Sequence, residues 1–163
     1  MMASDSNAGA YRPGVGIMLL NRHGLVFGGR RIDTPGTAWQ MPQGGLDDGE
    51  NTIEALWREM YEEIGTTDAD IISRARQWLT YDFPTDLAPK LWDGRFVGQT
   101  QLWYLLRFTG TDHDIKLNVH DAEFSTVKWV PPTVLPNIVI AFKRNLYHAV
   151  LREFAEPLAA LRL

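Results

Sequence analysis

The chain concentrates one arginine and four glutamates at, and just before, a segment with helical periodicity. These residues are Glu50, Arg58, Glu59, Glu62 and Glu63. At about 100° per residue, Glu59, Glu62 and Glu63 share a wedge of roughly 100° on a helix. Like charges at this spacing cost a helix about 0.2–0.5 kcal/mol, and a bound cation would reverse that cost. Carboxylates without Cys or clustered His favour a hard ion, so Mg²⁺ or Mn²⁺ is expected rather than Zn²⁺.

A solvated acidic face is the alternative interpretation of this helix, with Arg58 forming i, i+4 ion pairs to Glu54 and Glu62. Another side of the same helix carries an apolar stripe, formed by Ile53, Trp57, Met60 and Ile64. The stripe predicts that the helix packs this side on a core and turns the carboxylates outward.

Both ends of the helix are marked in the sequence. Asn51 and Glu54 have the spacing of a capping box, and a turn at 47–49 precedes them. Gly65 is the residue type that ends helices in a left-handed conformation. The helix is therefore predicted to begin after Asn51 and to end before Gly65.

The rest of the chain is predicted to supply strands and one more helix. Apolar and β-branched runs predict strands over 15–20, 25–31, 39–43, 78–83, 99–108 and 127–130. The first two strands form a hairpin, and segment 71–76 is ambiguous. An apolar stripe predicts a final helix over 137–154. Strands separated by two helices imply an α/β/α sandwich.

Loops are predicted over 85–98 and 109–123 from their proline, glycine and polar residues. The pair Gly28 and Gly29 lies inside a predicted strand. It indicates a bulge, the close approach of a ligand, or simple irregularity.

Length and composition limit the classes of protein to consider. The 163 residues suffice for one domain, predicted over 11–163 after a flexible tail at 1–10. The absence of cysteine excludes disulfides and thiolate metal sites. Without a leader-like start or a membrane-length apolar run, we expect a cytoplasmic protein with no membrane contact. The net charge of -4 argues against tracking extended nucleic acid, although it permits binding of one phosphorylated end. The sequence does not specify an oligomeric state.

The segment 44–65 resembles the Nudix box, the signature of hydrolases that act on a nucleoside diphosphate linked to another group. The resemblance covers Gly44, Glu50, the run from Arg58 to Glu59, and the run from Glu62 to Gly65, while Thr66 departs from the usual aliphatic residue. It implies a Nudix fold, an α/β/α sandwich with a mixed sheet.

Six further segments resemble the branch of this family that contains the RNA pyrophosphohydrolases and the asymmetric diadenosine tetraphosphate hydrolases. They are residues 11–13, 39–45, 78–84, 98–104, 122–124 and 142–144. Within this branch, Asp82 is more typical of the dinucleotide hydrolases than of the RNA enzymes.

The resemblance implies a metal site that holds several Mg²⁺ or Mn²⁺ ions. Glu59 and Glu63 would be direct ligands, and Glu62 a direct or indirect one. Glu50 would be an accessory ligand, and the carbonyl of Gly44 a backbone ligand.

The resemblance also implies catalytic roles for Arg58, Glu123 and Glu63. Arg58 would orient a glutamate rather than touch the substrate. Either Glu123 or Glu63 would be the general base, and the sequence does not choose between them. An exposed loop acid is the alternative interpretation of Glu123.

Substrate binding is implied for a third group of residues. Cations at Arg31, Lys143 and Arg12 would bind phosphates, with Arg144 a weaker candidate. The aromatic rings of Tyr81 and Phe142 would contact a nucleobase, and Gln43 would line the pocket. Alternatively, Phe142 belongs to the apolar stripe of the last helix and Gln43 bonds within a loop.

The predicted function is metal-dependent hydrolysis of a phosphoanhydride in a nucleoside 5′-polyphosphate. The substrate would be the 5′-triphosphorylated end of an RNA, a diadenosine polyphosphate, or both. A catalytically silent sensor with the same fold, which binds a nucleotide without cleaving it, is the alternative.

Overall fold

The computed structural model describes residues 10–33 and 36–161, so the predicted tail at 1–10 lies outside the described residues except for Ala10. The strands are β1 (Tyr11–Leu20), β2 (Val26–Arg31), β3 (Trp39–Gln40), β4 (Gln43–Gly45), β5 (Ala69–Arg74), β6 (Leu79–Asp82), β7 (Gly98–Phe108) and β8 (Phe124–Val130). The α-helices are α1 (Thr52–Ile64), α2 (Leu135–Ile138), α3 (Arg144–Glu153) and α4 (Ala155–Ala160). Single 3₁₀ turns lie at Ala88–Lys90, Trp92–Gly94, Asp112–Asp114, Pro132–Val134 and Ala141–Lys143. Within the described ranges, no helix combines the length and the apolar character of a membrane span.

The strands form one mixed sheet, which confirms the predicted sheet type. Strand β1 runs parallel to β7 along its whole length, from the pair Tyr11 and Gly98 to the pair Leu20 and Arg107. All other strand pairs are antiparallel. The long parallel pair therefore forms the centre of the sheet.

The sheet opens beside this centre, because β1 and β2 pair only where Leu20 meets Val26. Beyond that point β4 pairs with β1, and β3 pairs with β2. The predicted strand at 39–43 is thus two short strands on the two sides of the opening. Met41 and Pro42 lie between β3 and β4, and the Pro42 carbonyl accepts a hydrogen bond from the amide of Ile17 at 2.9 Å.

Helices α1 and α3 lie on opposite faces of the sheet, as the sandwich prediction requires. Consecutive residues of a strand point to opposite faces. In β7, the ring of Trp103 contacts that of Tyr147 in α3, with centroids 6.0 Å apart. The next residue, Tyr104, is hydrogen-bonded through its hydroxyl to that of Thr52 in α1, at 2.6 Å. We call these two sides the α3 face and the α1 face.

The ends of α1 are as predicted. The Asn51 side chain accepts a hydrogen bond from the amide of Glu54, and the Glu54 carboxylate accepts one from the amide of Asn51. Gly65 ends the helix with φ of 79°.

The prediction that α1 turns its carboxylates outward is wrong. Glu59 and Glu63 are only 9% and 1% exposed, whereas Ile53 in the predicted apolar stripe is 42% exposed. The residues of the apolar stripe lie on one side of α1, but the sequence alone does not show which side of the helix packs against the sheet. The buried apolar residues of α1 are Ala55, Leu56, Met60 and Ile64.

The prediction of one continuous helix over 137–154 is also wrong. The segment contains the end of α2, a 3₁₀ turn and α3, with Val139 and Ile140 in extended backbone between them. Ile138, Val139 and Ile140 are three consecutive β-branched residues, whose stiff side chains disfavour helix. The break places Lys143 at the end of the 3₁₀ turn that leads into α3.

The remaining uncertain segments have definite structures. Segment 71–76 belongs mostly to β5, which pairs with β7. A Cβ atom at Gly29 would lie 2.5 Å from the ring of Phe124, so this glycine accommodates an aromatic side chain. The register of β2 and β8 shifts between Arg30 and Arg31, which is a bulge at the end of the strand.

Candidate active site

Arg58 lies at the centre of the acidic cluster. Its Nε and Nη2 donate to the two oxygens of Glu50, each at 2.8 Å, and its Nη1 donates to Glu59 at 2.8 Å. It also donates to the Gly45 carbonyl at 2.8 Å and more weakly to Glu62 at 3.4 Å. The hydrogen bond from Arg58 lowers the pKa of Glu50. Arg58 thus fixes Glu50 and Glu59; the alternative pair with Glu54 is not formed, because Glu54 belongs to the helix cap.

Glu63 is a buried carboxylate without a hydrogen-bond donor. Both of its oxygens lack a hydrogen-bond partner among the described residues. Burial, and then the negative charge of Glu59, raise the pKa of Glu63 well above its usual range. Burial also raises the pKa of Glu59. The two carboxyl groups interact directly, and of the two Glu59 receives a hydrogen bond from Arg58, whereas Glu63 receives none from the described residues.

Gly44 makes room for one of these carboxylates. A Cβ atom at Gly44 would lie 2.0 Å from the carboxyl carbon of Glu59. Any other residue at this position would therefore displace Glu59. Strand β4 and helix α1 meet here through direct contact between a backbone and a carboxylate.

The donor set is suited to a hard divalent cation. The unpartnered oxygens of Glu63 and the adjacent Glu59 provide oxygen ligands of the kind that Mg²⁺ and Mn²⁺ prefer. A converged group of three or more acidic or His side chains is not present in the parts of the chain that the structure describes. Glu50 and Glu62 are instead paired with Arg58.

A cavity of about 400 Å³ lies on the α3 face near this cluster. Its aromatic wall contains Tyr81 and Phe142, stacked with centroids 6.0 Å apart and planes inclined by 29°. The polar lining residues are Arg31, Asp33, Gln40, Gln43, Gln99 and Lys143. The remaining lining residues are Ala38, Phe83, Leu87, Leu91, Trp92 and Ile140. The volume and mixed lining are those of a small-molecule site.

Two cations line this cavity. Lys143 is buried, and its Nζ donates to Oε1 of Gln40 at 3.2 Å. Burial lowers the pKa of Lys143 to about 8. Arg31 donates to both oxygens of Asp33, at 2.7 and 2.8 Å, and to Glu123 at 3.3 Å.

Arg12 lies next to the metal-suited cluster. Its guanidinium stacks on the ring of Trp92, 4.6 Å from the centroid, and a Cβ at Gly45 would lie 2.1 Å from it. In the described ranges it has no hydrogen-bond partner, and burial lowers its pKa. Arg144 instead donates to the Pro136 carbonyl and does not line the cavity.

Glu123 joins the two parts of the site. The backbone carbonyl of Glu123 accepts a hydrogen bond from the amide of Ile32 at 2.9 Å, and its carboxylate pairs with Arg31. The negative charge of Glu123 adds to the rise in the pKa of Glu63 and opposes part of the lowering of the pKa of Lys143 by burial, so these groups share one electrostatic environment. The residues expected from the sequence therefore lie in one region, with Phe142 on the cavity wall rather than in the core of a long helix.

Sequence reasoning missed several lining residues, among them Gln40, Gln99 and Trp92. Gln99 pairs with Tyr81 and so shares its face, but this follows only once the pairing of β6 with β7 is known. Trp92 carried no signal in the sequence. It lies with Asp93 at positive φ, 46° and 56°, which side chains other than glycine rarely adopt.

The chain is similar to proteins of one known family over most of its length. The NUDIX domain pattern matches residues 10–155. The RNA pyrophosphohydrolase of Rickettsia bellii (strain OSU 85-389) is 52% identical over 144 residues, which is 88% of this chain and 89% of the relative. The RNA pyrophosphohydrolase of Rickettsia canadensis (strain McKiel) is 51% identical over the same shares.

Solved structures share the fold at low identity. The dihydroneopterin triphosphate pyrophosphohydrolase of E. coli has a TM-score of 0.66 at 17% identity, covering 88% of this chain and 96% of that one. The Ap4A hydrolase of C. elegans has a TM-score of 0.60 at 19% identity, covering 87% and 98%.

Proposed function

The chain belongs to the NUDIX family of hydrolases, and we propose that it cleaves a phosphoanhydride in nucleoside 5′-polyphosphates: it removes pyrophosphate from 5′-triphosphorylated RNA and splits diadenosine polyphosphates asymmetrically. The observation that carries this proposal is the 52% identity to an RNA pyrophosphohydrolase over nearly the whole chain. The geometry supports it, because the carboxylates suited to a cation lie beside a cavity with two cations and an aromatic wall.

The metal ligands that we propose are those of the acidic cluster. Glu59 and Glu63 would hold Mg²⁺ or Mn²⁺ directly, with the Gly44 carbonyl, Glu62 and Glu50 completing the sites for several ions. Such ions, when bound, withdraw charge from phosphate oxygens and lower the pKa of bound water. The unpartnered oxygens of Glu63 and the contact between Glu59 and Gly44 support these assignments.

The chain's own groups would bind the substrate and move the proton. Arg12, Arg31 and Lys143 would bind the phosphates, since all three lie at the cavity or next to the cluster. The rings of Tyr81 and Phe142 would contact a base, and Gln43 would line the part of the cavity that holds it.

Glu123 is the group that we assign as general base. It is half-buried and hence reachable by water, whereas both oxygens of Glu63 are buried and suited to the cation. Arg58 would act through its bonds to Glu50 and Glu59, which keep the carboxylates in place. General base catalysis of this kind contributes about 10²–10⁴-fold to a rate.

Incubation with Mg²⁺ and either 5′-triphosphorylated RNA or diadenosine tetraphosphate tests the function. We expect release of pyrophosphate from the RNA, and ATP plus AMP from the dinucleotide. Glu63→Gln should abolish both activities, whereas Glu156→Gln, an exposed acid in α4, should retain them. Binding of both nucleotides without turnover would instead establish a sensor.

A cytoplasmic location and the number of ions remain predictions. A calorimetric titration with Mg²⁺, with and without a nucleotide, measures the number of ions.

A further inference from the structure

Three glutamine side chains on the α3 face have their amide orientations set by a single indole. An indole N–H can only donate a hydrogen bond. Nε1 of Trp103 donates to Oε1 of Gln101 at 3.1 Å, so the oxygen of Gln101 must point toward Trp103. The Nε2 of Gln101 consequently donates to the oxygens of Gln43 and Gln99, the latter at 2.8 Å.

The consequence for Gln43 and Gln99 follows from their own geometry. With their oxygens held by Gln101, their amide nitrogens have no hydrogen-bond partner among the described residues. Both side chains line the cavity, and Gln101 itself does not. Gln101 is fully buried and therefore acts on the cavity only through its two neighbours.

Lys143 orients the side-chain amide of Gln40 as Gln101 orients those of Gln43 and Gln99, by bonding to its oxygen. An ammonium can only donate, so Nζ of Lys143 fixes Oε1 of Gln40 at 3.2 Å. The Nε2 of Gln40 is then buried without a partner, on a side chain that is 4% exposed and lines the cavity. An unpaired buried donor destabilises the protein, and a ligand acceptor bonded to it would remove that cost.

The polar wall of the cavity thus presents donors. Gln40, Gln43 and Gln99, whose amide nitrogens have no partner among the described residues, line a cavity that Lys143 and Arg31 also line. A ligand edge with two adjacent acceptors would complement this wall. A ligand edge that carries an amino group would place a donor opposite a glutamine amide nitrogen, which is also a donor, and neither would then have an acceptor.

We propose that this donor wall makes the cavity selective for 6-oxopurines, guanine and hypoxanthine, over the 6-aminopurine adenine, and that Gln101 is the positioning residue that sets this selectivity. The inference rests on the proposed function and names its base specificity. Guanine and hypoxanthine present O6 and N7 as adjacent acceptors, whereas adenine has an amino group in place of O6. The Tyr81 and Phe142 rings accept any base, so the amides must supply the discrimination.

The test uses diguanosine, diinosine and diadenosine tetraphosphate, which share one phosphate chain and differ only in the base. We expect kcat/KM for the guanosine and inosine compounds to exceed that for the adenosine compound by about tenfold, which is within the discrimination that hydrogen bonds to one base edge provide. If the dinucleotides are not turned over, the ratio of their inhibition constants against hydrolysis of triphosphorylated RNA measures the selectivity instead.

Substitutions at Gln101 separate positioning from simple packing. Gln101→Glu retains the shape but can only accept, so Gln43 and Gln99 must rotate and present oxygens; the selectivity should fall or reverse. Gln101→Met removes the bonds and should bring the ratio toward one. Gln40→Glu provides a second, independent loss of a donor without changing Gln101.

Each outcome decides the matter. Equal kcat/KM for the three dinucleotides in the wild type, or Gln101 variants that lower all three equally, would overturn the selectivity while the proposed hydrolase stands. Absence of turnover for every dinucleotide and for triphosphorylated RNA would overturn the proposed function itself. If Gln101→Glu fails to fold, the Gln40→Glu ratio decides.

Discussion

Glu63 combines deep burial with two oxygens that lack a donor among the described residues. An anion in this environment is costly, because desolvation is not offset by hydrogen bonds. A cation bound between Glu63 and Glu59 would offset it. We therefore expect Glu63 to couple stability to metal binding.

We expect Glu63→Gln to raise the melting temperature of the metal-free protein. The amide removes the buried charge and can donate to Glu59, which lies next to it. The same substitution should abolish the increase in melting temperature that we expect Mg²⁺ to give to the wild type, and it should abolish turnover. Thermal melts with and without Mg²⁺, together with rate measurements, check both effects.

Glu123→Gln is the variant to compare with Glu63→Gln. Because Glu123 is assigned to the proton and not to the ion, its variant should lose activity by about 10²–10⁴-fold and retain the Mg²⁺-dependent rise in melting temperature. If Glu123→Gln loses that rise and Glu63→Gln retains it, the two assignments must be exchanged.

Lys143 should make both stability and substrate affinity depend on pH. Its folded pKa of about 8 lies below the usual 10.5, so the charged form is disfavoured by folding. The resulting cost is fully present below pH 8 and is relieved as the pH rises from about 8 to 10.5. Lys143→Met should therefore stabilise the protein by about 2 kcal/mol at pH 7, after allowance for the lost bond to Gln40. Urea denaturation at pH 7 and pH 10 measures the difference, which should shrink at the higher pH.

The same titration predicts the behaviour of substrate binding. As the pH rises through 8, Lys143 loses its charge and KM for a polyphosphate substrate should rise. Lys143→Arg keeps the charge at every accessible pH, and its KM should lack this transition. An identical pH profile of KM in the two proteins would show that Lys143 does not bind the phosphates.

The sequence predicted which residues gather at the site better than it predicted their surroundings. Spacing on one helix determines that Glu59 and Glu63 share a side, since that follows from local geometry. Their burial depends on contact with β4 at Gly44, a neighbour that helical periodicity does not contain. The donor wall of glutamines required knowledge of strand pairing and was missed for the same reason.

At the scale of elements, α1 was predicted to within its caps because both ends are specified by local side-chain and backbone bonds. The final helix was not, because three β-branched residues interrupt an otherwise helical apolar pattern. The pattern of apolar residues alone therefore predicted too long an element. The break is what brings Lys143 to the cavity.

Gly65 is required twice, once for its left-handed backbone and once for space. A Cβ at Gly65 would lie 2.5 Å from the carbonyl oxygen of Lys116, whose amide donates to Ile64 at 2.8 Å. Gly65→Ala should therefore destabilise the protein by about 3 kcal/mol. Gly24→Ala, at a φ of 76° with nothing within 4 Å of the added Cβ, should cost only about 1 kcal/mol.

Chemical denaturation of both alanine variants measures the difference. Equal losses of stability would show that the close approach of the Lys116 segment is not maintained in solution. Because that segment belongs to the loop that leads to Glu123, Gly65→Ala should also lower activity more than Gly24→Ala does.

At the scale of the whole molecule, the parallel pair of β1 and β7 links two distant parts of the chain. Its register extends from Tyr11 and Gly98 to Leu20 and Arg107, and its residues form much of the buried core. The sequence predicted both strands but could not pair them, because the partner of a parallel strand is not near it in sequence.

Hydrogen exchange should reflect this architecture. Amides of β1 and β7 should exchange most slowly, since they open only when the whole domain unfolds. Amides in the segment 84–97, which consists of turns, should exchange much faster. Exchange monitored by mass spectrometry checks the order, and fast exchange in β7 would contradict a single cooperative core.

The opening between β1 and β2 joins the two faces of the sheet at one place. The carboxylates come from α1, while Tyr81 and the glutamines come from strands of the sheet, and Phe142 and Lys143 come from the turn that leads into α3. Two neighbouring glycines of β4 mark this place, because a Cβ atom at Gly44 would meet the side chain of Glu59 and one at Gly45 would meet that of Arg12. In the proposed function, the carboxylates of α1 would hold the ion and the residues on the α3 face would bind the base, so substitutions on the α3 face could change the substrate while the ion site stays the same.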